Sequence, residues 1–182
     1  MIAQIKVLNP DLQKRIGQTQ INFTPNINIV VGSNGCGKSS LLRLLTSLTE
    51  QPNADGKLIW DSSIKVHTYS SEQVTRDRVE HSDTAFGSVH ESHGQALRKL
   101  LSSLENIEDE AIVLLDEPET ALDFQSVWDL CKIISTKKNV QFIISTHHPL
   151  LLTLTNANFI NLDREDKTYA QTVLKKLAKR LK

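Results

Sequence analysis

Apolar residues along this chain follow two rhythms. From Ile2 to Leu8 they alternate with polar ones, and Thr19 to Phe23 is a second short stretch of the same kind; both predict strands. A Pro25-Asn26 turn leads into Ile27-Asn28-Ile29-Val30-Val31, a β-branched run that reads as a buried strand. After a glycine-rich stretch, Leu41, Leu42, Leu44, Leu45 and Leu48 recur at helical spacing. Lys57 to Trp60 and Ile64 to Tyr69 predict further strands. Ser70 to Glu91 is polar and aperiodic, and reads as a lid or disordered loop.

The second half returns to order. Leu97, Leu100, Leu101 and Leu104 mark one face of a helix opening near Ser92, and Ile112 to Leu115 is an apolar strand. Phe124, Val127, Trp128, Cys131 and Ile134 predict another helix. Val140 to Ser145 predicts a strand, Leu150 to Leu154 a short helix, Phe159-Ile160 the last strand, and Ala170 to Lys182 a basic terminal helix. Strands alternating with helices imply crossover connections and parallel pairing, so the class is α/β, read as one domain over residues 1–182.

Composition mostly excludes. Twenty-one Lys plus Arg balance twenty-one Asp plus Glu, which argues against gripping nucleic acid by bulk charge while leaving a local patch open. The two cysteines, Cys36 and Cys131, have no metal-ligand spacing. No apolar run is long enough to span a membrane, and the first residues lack a signal-peptide pattern, so the expectation is a soluble cytoplasmic protein without membrane insertion. His81, His90 and His93 match no common zinc spacing and read as part of a solvated loop.

Chemistry concentrates first at Gly32-Ser33-Asn34-Gly35-Cys36-Gly37-Lys38-Ser39-Ser40, a complete phosphate-binding loop between a predicted strand and helix. Glycines let backbone N–H groups curl around a phosphate, and the helix N-terminus adds partial positive charge. Lys38 would bridge the β- and γ-phosphates and the Ser39 hydroxyl would ligate Mg²⁺. Cys36 occupies a variable position of the pattern; a helix N-terminus can depress a thiol's pKa, but a small residue that fits the loop is the simpler reading. The second concentration is Ile112-Val113-Leu114-Leu115-Asp116-Glu117, whose apolar strand delivers two carboxylates to the same crevice. Asp116 would hold Mg²⁺, and Glu117 would act as general base on the attacking water.

Pro118-Glu119-Thr120-Ala121-Leu122-Asp123 follows directly, and Ser145-Thr146-His147-His148-Pro149 ends the next strand. Together with the phosphate loop these resemble the ABC-type ATPase core, in particular the heads of its SMC/RecF-like and OLD-like branch. The resemblance implies a P-loop NTPase fold with N-terminal antiparallel strands and a mostly parallel core sheet flanked by helices. It makes Asp116 through Asp123 the Walker B and D-loop, and His147, rather than the adjacent His148, the switch histidine at the γ-phosphate. Ser92-His93-Gly94-Gln95 is the nearest match to the signature motif, with His93 in place of a glycine. Gln73, or the adjacent Glu72, falls in the region of the glutamine loop that contacts Mg²⁺. No aromatic precedes Phe23 to stack on adenine as in transporters, and only Val74 to Glu91 stands where relatives insert a helical subdomain or coiled coil.

The resemblance therefore implies a minimal Mg²⁺-dependent ATPase that forms a homodimer on ATP. Ser92, Gly94, Gln95 and Asp123 of one copy would reach the nucleotide of the other. A separately encoded effector such as a nuclease, in DNA repair or a prophage or defence system, is the implied setting. Alternatives are an ATP-gated binding switch with negligible turnover, or the ATPase subunit of a membrane importer; a GTPase is disfavoured because no guanine-reading Asn-Lys-x-Asp appears. The tail residues Lys175, Lys176, Lys179, Arg180 and Lys182 could touch DNA phosphates, dock on an acidic partner or simply be solvated.

Overall fold

In the computed structural model, residues 1–70, 100–107 and 110–163 are described; the predicted signature, glutamine loop, polar 71–91 stretch and basic tail lie outside them. Two sheets form. β1 (Ile2–Val7) pairs antiparallel with β2 (Gln20–Asn22) and with β4 (Gly56–Trp60). The second sheet is wholly parallel, in the order β5 (Lys65–Ser70), β6 (Ala111–Asp116), β7 (Val140–Ser145), β3 (Ile27–Val31), β8 (Asn158–Asn161). The expected α/β architecture, with antiparallel strands first and a parallel core, is the one found.

A parallel sheet covered on both faces needs strands apolar on both sides, and β3, β6 and β7 are buried at every position. The period of two sorts their side chains into two layers. Ile112, Leu114, Val30 and Ile143 face α2 (Lys38–Glu50) and the antiparallel sheet. Val113, Leu115, Ile29, Phe142 and Ile144 face α3 (Phe124–Thr136), with Leu100 and Leu104 of a helical stretch over 100–105. Of the helix predicted to open near Ser92, the part before residue 100 lies outside the described residues. Leu150 to Leu154 condenses to a 3-10 turn at Leu151–Thr153.

One element was not anticipated: α1 (Pro10–Ile16), in the connection between β1 and β2. Its signals are all local. Asn9 caps it by accepting from the Asp11 and Leu12 N–H groups, Pro10 opens it, and Gly17 closes it in the left-handed region. Seven residues with Leu12 and Ile16 as the apolar positions are too few to show a periodic face.

The two sheets are tied by a buried amide. Gln141 of β7 points out of the apolar sheet face, accepts from the Ile2 N–H at 2.7 Å, and donates to the carbonyls of Ile2 and Thr24. Replacing Gln141 by Leu should therefore lower the unfolding free energy by about 2–3 kcal/mol, because it strands a buried donor. The same measurement on Gln125→Ala, at an exposed helix position, should stay within about 0.5 kcal/mol. Urea midpoints at constant slope would check both.

Candidate functional site

The carboxyl ends of β3, β6, β7 and β8 open on one edge of the sheet, and the predicted chemistry gathers there. In-register pairing sets Asp116 opposite Ser145 and Val31 opposite Asn161. The loop after β3 has three glycines at positive φ: Gly32 (150°), Gly35 (80°) and Gly37 (105°). Two are also forced by close approach. A Cβ on Gly32 would lie 2.5 Å from Cys36 Sγ, and one on Gly37 would lie 3.0 Å from the Arg15 carbonyl oxygen of α1. Lys38 is buried and folds back on the loop, its Nζ donating to the Gly32 and Ser33 carbonyls at 3.2 Å each. An open cleft of about 530 Å³ covers this cradle, lined by Asn34, Gly35, Gly37, Lys38, Ser39, Ser40, Arg15 and Glu117.

Ser39 and Asp116 come together as expected: the Ser39 hydroxyl donates to Asp116 Oδ1 at 3.1 Å. Two hard oxygen donors at the phosphate cradle fit Mg²⁺, which is commonly held by one or two carboxylates together with substrate phosphates. Asp116 Oδ1 also accepts from the Ser145 hydroxyl at 2.5 Å. That hydroxyl in turn accepts from the Glu117 N–H at 3.1 Å, and the Ser145 carbonyl takes the same N–H at 3.0 Å. Glu117 needs this grip. Its φ of 46° is left-handed, a region that costs a non-glycine residue of order 1–3 kcal/mol and persists only where neighbours over-determine it. The turn aims the Glu117 carboxylate into the cleft, 3.7 Å from His147 Nε2.

His147 is held by Glu119. Glu119 Oε1 accepts from the His147 N–H at 2.8 Å and from the Thr146 hydroxyl at 2.7 Å, whereas Oε2 is buried with no hydrogen-bond partner among the described residues. Burial, reinforced by the Lys38 charge, lowers the His147 pKa and so favours the neutral imidazole at pH 7. His148 instead faces its own turn, its Nδ1 accepting from the Leu150 N–H. Asp123 is exposed and caps α3, accepting from the Ser126 N–H at 2.8 Å; hydrogen bonding from the Ser126 side chain first, and from its N–H second, holds its carboxyl below the usual range. For Cys36 burial outweighs Lys38 and pushes the thiol up, and the side chain packs under Gly32, in keeping with the simpler reading of a small residue that fits the loop.

Four contributors were missed. Ser145 and Glu119 were in plain view inside quoted motifs without a role, although a serine ending the apolar run Phe142-Ile143-Ile144 is itself a signal. Arg15 arrives with the unpredicted α1. Asp163, just past β8, accepts from both the Ser33 N–H (2.9 Å) and the Ser33 hydroxyl (2.7 Å), which depresses its pKa. Nothing in the sequence links positions 130 apart. Gln73, Ser92, Gly94 and Gln95 fall outside the described residues.

The fold is similar to that of solved ABC cassettes. The dimeric bacterial ABC transporter cassette MJ0796 matches 82% of this chain and 88% of its own, at 10% identity and a TM-score of 0.51. Its dimeric post-hydrolysis form, bound to ADP and Pi, matches 81% and 88% at 12% identity and a TM-score of 0.50. ABC transporter A family member 1 of Dictyostelium discoideum is 24% identical over 160 residues, 66% of this chain; the match spans 18% of that relative's length. The fold is thus that of the ABC cassette. A family model described as AAA domain matches residues 14–182, and the chain belongs to that family.

Proposed function

We propose that this chain binds Mg·ATP, hydrolyses it, and cycles between separate copies and a nucleotide-bound homodimer that drives or gates a partner. The observation that carries this reading is the convergence of Lys38, Ser39, Asp116, Glu117 and His147 at the carboxyl ends of three adjacent parallel strands, around one cleft. ATP phosphates would replace the loop carbonyls as partners of Lys38. Ser39 and Asp116 would hold Mg²⁺, which supplies charge neutralisation at the phosphates. Glu117 would take a proton from the attacking water while neutral His147 donates to the terminal phosphate.

The dimer reading draws on the dimeric cassettes above and on the exposed Asp123, free to face a second copy while it caps α3. Ser92, Gly94 and Gln95 would complete each site in trans, and Gln73 would lie at the metal. An effector such as a nuclease, in DNA repair or defence, rests on the sequence resemblance alone, as does the SMC/RecF-like or OLD-like branch.

Lys38→Ala should weaken Mg·ATP binding at least tenfold in calorimetry. Glu117→Gln should cut turnover by roughly 10²–10⁴-fold and accumulate an ATP-bound dimer in light scattering. Unchanged turnover would favour the ATP-gated switch; a monomer with and without Mg·ATP would end the dimer reading. Glu119→Ala frees the turn that carries His147, so kcat should fall roughly 10–100-fold with ATP affinity little changed. Glu119→Gln keeps an acceptor oxygen and should recover much of the loss.

A further inference from the structure

The phosphate loop has a cavity on each flank. Beyond the phosphate cleft, a second cavity of about 350 Å³ lies between α1 and the end of β8, within the usual size range of small-molecule pockets. Its walls are Lys14 and Arg15 on one side and Leu162 and Asp163 on the other, with Ser33 to Cys36 between them. Arg15, Asn34 and Gly35 line both cavities, so the two are continuous over the rim of the loop.

Topology fixes which end of a nucleotide each would take. Glu117 and His147 follow β6 and β7, on one side of β3, and Asp163 follows β8, on the other. A nucleotide with its terminal phosphate at Glu117 must leave the cradle across the opposite flank, toward Asp163. We propose that the base of ATP seats in this second cavity and that Asp163 selects adenine by accepting a hydrogen bond from its exocyclic amine. This deepens the nucleotide reading above and rests on it.

Asp163 is prepared for that task. Both Ser33 bonds fall on Oδ1, and the Asp163 N–H donates to Asn161 Oδ1 at 3.1 Å, so the carboxylate is fixed while Oδ2 has no hydrogen bond among the described residues. Purines differ at this edge in sign: adenine offers an N–H donor, whereas a 6-oxo purine offers a carbonyl that a carboxylate repels. The apolar floor is Leu162, buried at 3% exposure. Opposite stand Lys14 and Arg15 of α1, the Arg15 Nη1 donating to Ser40 Oγ at 3.4 Å on the phosphate side of the rim. Because Asp163 is bonded to Ser33, base recognition is wired directly to the phosphate loop.

The test is calorimetric binding, with Mg²⁺, of ATP, purine riboside triphosphate, ITP and inorganic tripolyphosphate. Wild-type affinity should fall in the order ATP, purine riboside triphosphate, ITP, with ATP ahead of ITP roughly 10–100-fold; a half-open site discriminates less than the ~10⁴-fold of a closed one. Asp163→Asn keeps an oxygen for Ser33 and turns the other position into a donor. It should bring ATP and ITP within about threefold of each other; the ratio is the readout, because any change in the grip on the phosphates is common to both nucleotides. Equal wild-type binding of ATP and ITP, or discrimination that survives Asp163→Asn, would overturn the assignment while leaving nucleotide binding intact. Failure of every triphosphate, tripolyphosphate included, would instead remove the reading on which it rests. The wild-type series decides even if the variant folds poorly.

Discussion

The site depends on one hydroxyl. Ser145, fully buried at the last position of β7, donates to Asp116 and accepts from the Glu117 N–H, so one side chain fixes the carboxylate expected at the metal and the turn that presents the expected base. The in-register pairing of Asp116 with Ser145 makes this possible. A register slip by one residue would send both side chains to the opposite face of the sheet. The left-handed φ of Glu117 is then a consequence: the chain must leave β6 sharply for the carboxylate to point into the cleft, and the doubly accepted N–H offsets the conformational cost.

A second clamp works at the other end of the phosphate loop. α1 presses its last turn on Gly37, and the Asp163 carboxylate draws Ser33 toward β8, while the Cys36 thiol fills the space under Gly32. The loop is thus held from outside at Ser33 and Gly37, while inside it the Cys36 N–H donates to the Ser33 carbonyl at 3.3 Å. Lys38 is satisfied by the loop's own carbonyls, which lets a buried ammonium persist until phosphate oxygens replace them.

Legibility in the sequence followed sequence distance. The glycine loop and the Asp116-Glu117 pair could be named because each follows an apolar run that announces a buried strand, and the strand end announces the crevice; His147 could be named only through the resemblance of its motif. Parallel order followed from alternating strands and helices. What could not be seen were pairings across the fold. Gln141 reaches Ile2, Asp163 reaches Ser33, and Ser145 reaches Asp116, each through a polar side chain whose partner lies 29 to 139 residues away. α1 was illegible for a different reason: seven residues present two turns of helix, too short for periodicity to emerge above an ordinary loop.

Glu119 shows how a motif can be recognised and still under-read. As part of a run between two acidic landmarks it looks like connecting surface, yet its carboxylate accepts from Thr146 and His147, 27 and 28 residues further on, and holds the backbone from which His147 projects. Its second oxygen is enclosed without a partner among the described residues, in a setting where Glu117, His147 and the phosphate loop already crowd the cleft. A carboxylate so placed couples the geometry of the β6 turn to that of the β7 turn. Any ligand that shifts one carboxyl end must therefore shift the other, which is the mechanical requirement for a nucleotide to be sensed by two strands at once.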